Sequence, residues 1–314
     1  NILNKIAEQL KIDPLEIRKR NTYQQGDKTP YGQEITDCHL PDIYDALAEK
    51  TDYSALQEEV AVFNTNSTRY KRGIGIIPVK FGISFTTTLL NQGSALVWVY
   101  IDGSVSVSTS GVEMGQELST KVAIVVSRVF GIPVNKIRVE SSNSQRIGNA
   151  SPTAASTGSD INGNAARIAA EKIKEKLSRC AYNLITQKYG VNINTDELEF
   201  SNSKVFSKNY PEAAVKFEEL VRFAHSERVP LAAYGYYRTP DLWFNRDKGI
   251  GNPFHYFVYG AALAEVELDT LLGKHRVLKL IAIHENGQTL NEAIDRGQIE
   301  GAIMQGIGWC TMED

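Results

Sequence analysis

The sequence is poor in the residues that staple or metallate small folds. It has three cysteines in 314 residues, Cys38, Cys180 and Cys310, with no C-x-x-C spacing among them. An odd, widely spaced set argues against a disulfide framework and fits a reducing compartment, so a cytoplasmic location is expected. The five histidines are as scattered, with no H-E-x-x-H, which excludes the usual pattern of a zinc held by side chains. No apolar run approaches the roughly 18 residues of a membrane span, and the N-terminus carries no signal-peptide pattern. Net charge is scant too: 34 Lys+Arg against 37 Asp+Glu leave −3, with the signs interspersed. Without a basic stripe, neither nucleic acid nor a membrane is an expected partner. What remains, 42% hydrophobic and 23% charged residues, is a globular balance. A chain this long buries roughly three-quarters of its unfolded surface without staples, in about two domains.

Local patterns place the elements. Ile2, Ile6 and Leu10, then Leu15 and Ile17 after Asp13-Pro14, predict two short helices, with Asp13 as N-cap and Pro14 at the first helical position. A polar loop from Asn21 leads to helices over 41–50 and 53–64. The run from Gly73 to Phe85 is glycine-rich and β-branched, a stretch whose backbone can approach something closely. The alternation from Ala95 to Ser108 around Asp102-Gly103 predicts a hairpin. Helical spacing over 115–130 ends at Gly131, a short strand covers 137–140, and a long helix covers 161–188. A hairpin near 198–206, a helix at 217–226, strands at 256–268 and 277–283, and a final helix at 294–305 complete the reading. Strand pairs followed by helices predict an α+β fold. Amphipathic or apolar helix patterns at both ends suggest a slice of a longer protein.

Four segments combine glycine, small polar residues and glutamine at element boundaries: Ser110–Gln116, Ala150–Ser156, Gly249–Tyr259 and Gly297–Gly308. Backbone donors at helix starts suit oxyanions, and a carboxamide offers the donor–acceptor pair that a pterin or purine edge needs. There is no G-x-G-x-x-G in a Rossmann context, no P-loop and no G-x-S-x-G, so these segments match no dinucleotide, triphosphate or serine-hydrolase frame. Glu113 beside Met114 reads either as a general base or as a carboxylate complementing a helix start.

In register, the segments resemble one family. Lys80-Phe81-Gly82-Ile83-Ser84-Phe85-Thr86, Gly111-Val112-Glu113-Met114-Gly115-Gln116, Ser151-Pro152-Thr153-Ala154-Ala155-Ser156 and Gly297 to Gly306 are similar to the molybdenum-binding domain of the xanthine oxidase family of molybdenum hydroxylases. Tyr237–Pro240, Asn252–Tyr256, Leu290–Asp295 and the opening Pro14–Asn21 fit the same pattern. The likeness runs from end to end and is weakest between about 189 and 216. The implied fold is the α+β molybdenum cofactor-binding domain of the xanthine dehydrogenase/aldehyde oxidase type, strand pairs packed with helices. Residues 1–68 would be the C-terminal tail of a first cofactor-binding domain, and 69–314 most of a second, stopping before the catalytic glutamate.

The resemblance implies a molybdenum–molybdopterin cofactor (Moco) whose metal is held by the pterin dithiolene, not by side chains. Gln116 would hydrogen-bond the pterin, Ala154, Ala155 and Ser156 would line the cofactor with backbone groups, Ala155 nearest the molybdenum, and Gln305 would contact it from the last helix. Phe85 would wall a purine pocket and Thr86 would bond a ring substituent. The implied activity is oxidative hydroxylation of hypoxanthine and xanthine to urate with oxygen from water, electrons leaving through Fe–S and FAD to NAD. A purine substrate, the Fe–S and FAD domains or subunits, the remainder of the molybdenum domain and an oligomeric parent are the implied partners. An aldehyde or another N-heterocycle is the alternative substrate, and a non-catalytic interaction module the alternative class. The pattern departs from the family at Glu117, where glycine is usual, and at Glu292, where proline is usual. No G-E-P-like motif with the catalytic glutamate and no F-R-G-F-G-G stretch occurs, so the chain alone is expected to be inactive.

Overall fold

The computed structural model describes residues 2–313. Four helices come first: α1 (Ile2–Leu10), α2 (Pro14–Arg20), α3 (Leu40–Thr51) and α4 (Tyr53–Asn66). β1 (Tyr70–Ile83), β2 (Gln92–Val99) and β3 (Val105–Thr109) lead into α5 (Leu118–Phe130), β4 (Ile137–Glu140) and the long α6 (Gly158–Tyr189). Next are β5 (Leu198–Ser201), β6 (Lys204–Ser207), β7 (Tyr210–Lys216), α7 (Phe217–Ser226) and β8 (Ala232–Arg238). The last elements are β9 (Trp243–Asn245), β10 (Ile250–Asn252), β11 (Tyr256–Asp269), β12 (Lys274–His284) and α8 (Glu292–Thr311). The α+β layering expected from the sequence is therefore the fold. These elements divide into two compact units.

Unit one holds the residues up to Thr86 together with Asp241–Gln288. Asp13 caps α2, its Oδ1 accepting the N–H groups of Leu15 (2.7 Å) and Glu16 (3.1 Å) behind Pro14. The sheet has the order β1-β11-β12, all antiparallel, with Tyr70 opposite Asp269 and Ile83 opposite Tyr256. One face, carrying Ile76, Tyr259, Ala261 and Leu263, packs with Leu40, Ile43, Tyr44 and Leu47 of α3 and Leu56 and Val60 of α4. Arg69 makes a fork to Asp269 at the sheet end, holding that carboxyl at about 2, well below its usual range.

Unit two holds Thr87–Pro240 together with the residues from Thr289 on. Its four-stranded sheet has the order β4-β3-β2-β8, with β3 and β4 parallel and the other pairs antiparallel. The β2–β3 hairpin turns at Asp102-Gly103, where Gly103 takes φ +79° and the Asp102 carboxylate accepts the Ser104 N–H. α5 makes the crossover between the two parallel strands, as such pairs require. It ends at Gly131 in the left-handed conformation (φ +63°), as its sequence predicts. α6 lies across the sheet, and Ala165, Ala166, Ala169 and Ala170 are fully buried there with Val97, Val107 and Val126. A small sheet, β5-β6-β7, completes the unit.

Two features depart from the sequence reading. β7, β8, β9 and β10 form where no strand is expected, because their pairing partners, not their own alternation, make them strands. The helix expected from Gly115 begins at Leu118, because Glu117 adopts a left-handed conformation, φ +59°.

Candidate functional site

The Ser110–Gln116 segment of unit two is a loop strapped to the start of α5. Glu113 accepts N–H groups from Gly115 (3.0 Å), Glu117 (2.9 Å) and Ser119 (3.0 Å). Partial burial pushes its carboxyl up, but these three donors outweigh that and leave it below its usual range. Of the two readings of Glu113, the helix-start carboxylate is the one that forms. The Gln116 carboxamide closes the same loop, accepting from Met114 N–H (2.6 Å) and donating to Val112 C=O (2.8 Å). One amide hydrogen and one oxygen lone pair of Gln116 stay available for another partner.

Glu117 shows why glycine suits this position. Its left-handed backbone costs an L-residue about 1–2 kcal/mol, and among the described residues its side chain makes only an exposed bond to Thr120 (2.6 Å). Glu117→Gly is expected to raise stability by about 1 kcal/mol, read as a higher calorimetric melting temperature. A lower melting temperature would show that the turn carries no strain. Glu292 is likewise the first helical residue of α8, behind the cap Asn291, whose Oδ1 accepts the Ile294 N–H (3.3 Å). Proline suits that place because its missing N–H has no intrahelical partner there.

The second loop, Ala150–Ser156, joins the first through the Val112 N–H to Thr153 Oγ1 bond (2.9 Å). Ala155 and Ser156 are both left-handed, at φ +54° and +56°, so two successive residues are held in a costly conformation just before Thr157, the N-cap of α6. Buried Asn162 ties the first loop to α6, accepting from Ser110 Oγ (3.1 Å) and donating to Gly158 C=O of its own helix (2.9 Å). Gly111 is needed beside it, since a Cβ there would lie 2.4 Å from Leu118 Cδ2 and 2.8 Å from Asn162 Nδ2.

These loops wall a cavity of about 460 Å³, lined by Met114, Gln116, Leu118, Lys121, Thr153–Ser156, Gly158, Ser159 and Gln298. The structure therefore brings together Gln116, Ala154, Ala155 and Ser156. Gln305 is exposed on α8 and does not line it. Gln298 does, reaching Gly115 C=O at 3.2 Å. The two glutamines are seven residues apart, two helical turns on one face. The Gly297–Gly308 pattern marks the helix, but its spacing alone does not say which of the two faces the loop. α8 is fixed by Asp295, whose Oδ1 pairs with Lys121 Nζ at 3.0 Å and whose other oxygen accepts from the Thr289 hydroxyl.

Phe85 and Thr86 belong to unit one, half-buried and exposed respectively, just after β1. The segment before them is pinned. Gly82 lies under the Phe254 ring, where a Cβ would be 2.3 Å from Cγ, and the His255 N–H donates to Ile83 C=O at 2.9 Å. Buried Gln33 brackets Phe254, donating to its carbonyl (2.7 Å) and accepting its N–H (3.3 Å). Nothing in its polar loop singles Gln33 out in the sequence, since its partners lie more than 200 positions away. Among the described residues, no three His, Cys, Asp or Glu side chains converge as a metal site, and no helix is long and apolar enough to cross a membrane.

The fold, with its donor-rich cavity at two helix starts, defines a class. The family model of the molybdopterin cofactor-binding domain matches residues 46–314, and the chain belongs to that family. Within it, xanthine dehydrogenase/oxidase of Mus musculus is 40% identical over 299 residues, covering 95% of this chain and 20% of that protein. Nicotinate hydroxylase of Emericella nidulans is 40% identical over 321 residues, covering 100% of this chain and 22% of that protein. The chain thus spans about a fifth of the length of the curated relatives it matches. Among solved structures, quinoline 2-oxidoreductase of Pseudomonas putida 86 shares the fold, with a TM-score of 0.80 at 21% identity over 98% of this chain and 38% of that chain. Aldehyde oxidoreductase of Desulfovibrio desulfuricans gives a TM-score of 0.74 at 25% identity, covering 98% of this chain and 30% of that chain.

The residues present fit part of such a cofactor. The cavity lining includes one lysine and no carboxylate. The first N–H groups of α6 have no intrahelical acceptor, negative charge is stabilised at such a helix start, and Gly158 and Ser159 of that first turn line the cavity. Two carboxamides and three hydroxyls, from Gln116, Gln298, Thr153, Ser156 and Ser159, add groups able to bond a heterocycle edge.

Proposed function

We propose that the chain is the molybdopterin-holding portion of a xanthine dehydrogenase-type molybdenum hydroxylase, which oxidises hypoxanthine and xanthine to urate in purine catabolism. The observation that carries this reading is the carboxylate-free cavity gathering Gln116, Ala154, Ala155 and Ser156 at the start of α6. The cofactor, when bound, supplies the hydroxylation chemistry, with electrons passing on to Fe–S, FAD and NAD carried elsewhere in a cytoplasmic, oligomeric parent. Gln116 and Gln298 hold the pterin edge, the Ala154–Ser156 backbone shapes the wall beside the metal, with Ala155 nearest it, and Gln305 contacts the cofactor from further along α8. Residues 1–68 are the tail of one cofactor-binding domain and 69–314 most of the next.

Phe85 packs on the purine ring and the Thr86 hydroxyl bonds a ring substituent, both set by the pinned end of β1. Thr86→Val in the parent enzyme is expected to cost about 1–3 kcal/mol in kcat/KM for xanthine. Unchanged kinetics would remove Thr86 from the pocket. The 40% identity to a nicotinate hydroxylase supports a second reading, the same cofactor portion serving another N-heterocycle. Steady-state assays of the parent enzyme with xanthine, nicotinate and an aldehyde separate the two. Xanthine-dependent NAD reduction is the expected result, and turnover of nicotinate or aldehyde with xanthine inert would overturn the purine assignment.

A further inference from the structure

Outside the cofactor cavity, the cations of unit two are unevenly paired. A second cleft, of about 380 Å³, lies between α5 and α6 and is lined by Val125, Arg128, Val129, Arg167, Glu171 and Lys174. It shares no lining residue with the cofactor cavity. Both helices set out from that cavity side by side. Leu118 Cδ1 lies 3.7 Å from the place a Cβ would take on Gly158, and Val125 Cγ2 lies 3.7 Å from the same place on Gly163. From Lys121 to Arg128 is two turns of α5, about 10 Å along its axis.

The one carboxylate in the cleft, Glu171, is already held by Arg167 at 2.7 Å. Arg128 and Lys174 make no ion pair among the described residues. Lys174 is half-buried with its Nζ 4.8 Å above the Phe200 ring. Burial lowers its pKa, an effect that Glu171 and Glu199 offset only in part. A half-buried ammonium without an ion-pair partner is an incomplete arrangement, and an exposed guanidinium beside it can fork to an oxyanion.

We propose that this cleft binds a phosphate monoester carrying an apolar body. The lining holds three cations and one carboxylate that is already paired, and even with Glu199 acting on Lys174 from outside the lining a net positive charge remains for a phosphate group to neutralise. Arg128 and Lys174 take the phosphate oxygens by charge-assisted hydrogen bonds, and Val125 and Val129 receive the apolar part. The site is independent of the assignment of substrate or cofactor above.

Titration of the full chain with phenyl phosphate, followed by calorimetry and by amide shifts in α5 and α6, tests it. Saturable binding is expected, weakened about tenfold or more by Arg128→Gln and by Lys174→Met. Inorganic phosphate is expected to bind about tenfold or more weakly than phenyl phosphate, because it leaves the two valines uncovered. No saturable binding, full affinity in Arg128→Gln, or inorganic phosphate matching phenyl phosphate would each overturn the proposal. Arg128 is exposed, so its variant keeps the fold and decides the matter even if Lys174→Met does not fold.

Discussion

Gly235→Ala is expected to destabilise unit two by about 3 kcal/mol, the upper end of what overpacking costs. Gly235 sits in β8 opposite Ala95 of β2 and directly beneath α6. A Cβ there would lie 2.1 Å from the carbonyl oxygen of Ala165 and 2.7 Å from the nitrogen of Ala169. Both are helix backbone atoms on fully buried residues, so neither can swing aside as a long side chain would. Relief requires lifting a 32-residue helix off its sheet. Denaturant titration reads the loss as a lower midpoint, with Gly148→Ala as control because nothing lies within 4 Å of its added methyl. An unchanged midpoint for Gly235→Ala would mean that α6 is not held that close.

Lys121→Met is the second large effect. The Lys121–Asp295 pair is mostly buried, with side-chain exposures of 19% and 17%. Removing the ammonium leaves a carboxylate with only the Thr289 hydroxyl, a loss on the order of 3 kcal/mol. Burial pushes the Asp295 carboxyl up, but Thr289 and Lys121 together bring it below the usual 3.8. The pair's contribution is thus complete above the ordinary aspartate value and disappears as pH falls through the lower, folded value. In neutral solution the variant should show faster amide exchange along α8 and a lower melting temperature. In acid the difference from the parent should close. Equal exchange in α8 at neutral pH would show that the pair does not anchor it.

Much of the local structure was legible. Asp13-Pro14 announces the start of α2, Gly131 the end of α5 and Asp102-Gly103 the hairpin, because a cap or turn is decided by a few neighbouring residues. β8 was not legible. Tyr234 and Tyr236 point outward, Gly235 inward, and the strand exists because β2, some 140 positions earlier, offers a free edge. Of the four segments singled out in the sequence, Gly249–Tyr259 belongs to unit one, and the other three, Ser110–Gln116, Ala150–Ser156 and Gly297–Gly308, contribute to the cofactor cavity, whose geometry was not legible. Gln116 and Ala154–Ser156 meet there, whereas Gln298 rather than Gln305 completes the wall. Gln33 was invisible for the same reason as β8: its only distinguishing feature is a partner remote in sequence.

By itself, then, the sequence determined most of the elements, the caps at Asp13 and Gly131, and the family to which the segments in register belong. Its shortage of cysteine and histidine clusters already turned attention away from side-chain metal ligation. The tertiary structure alone decided which glycines are indispensable, which glutamine faces the loop and which cations lack partners. The physical reason is one of range. Dihedral preferences and hydrogen bonds within a turn are set by adjacent residues, but a close approach or an unpaired charge depends on what the packing brings from far along the chain.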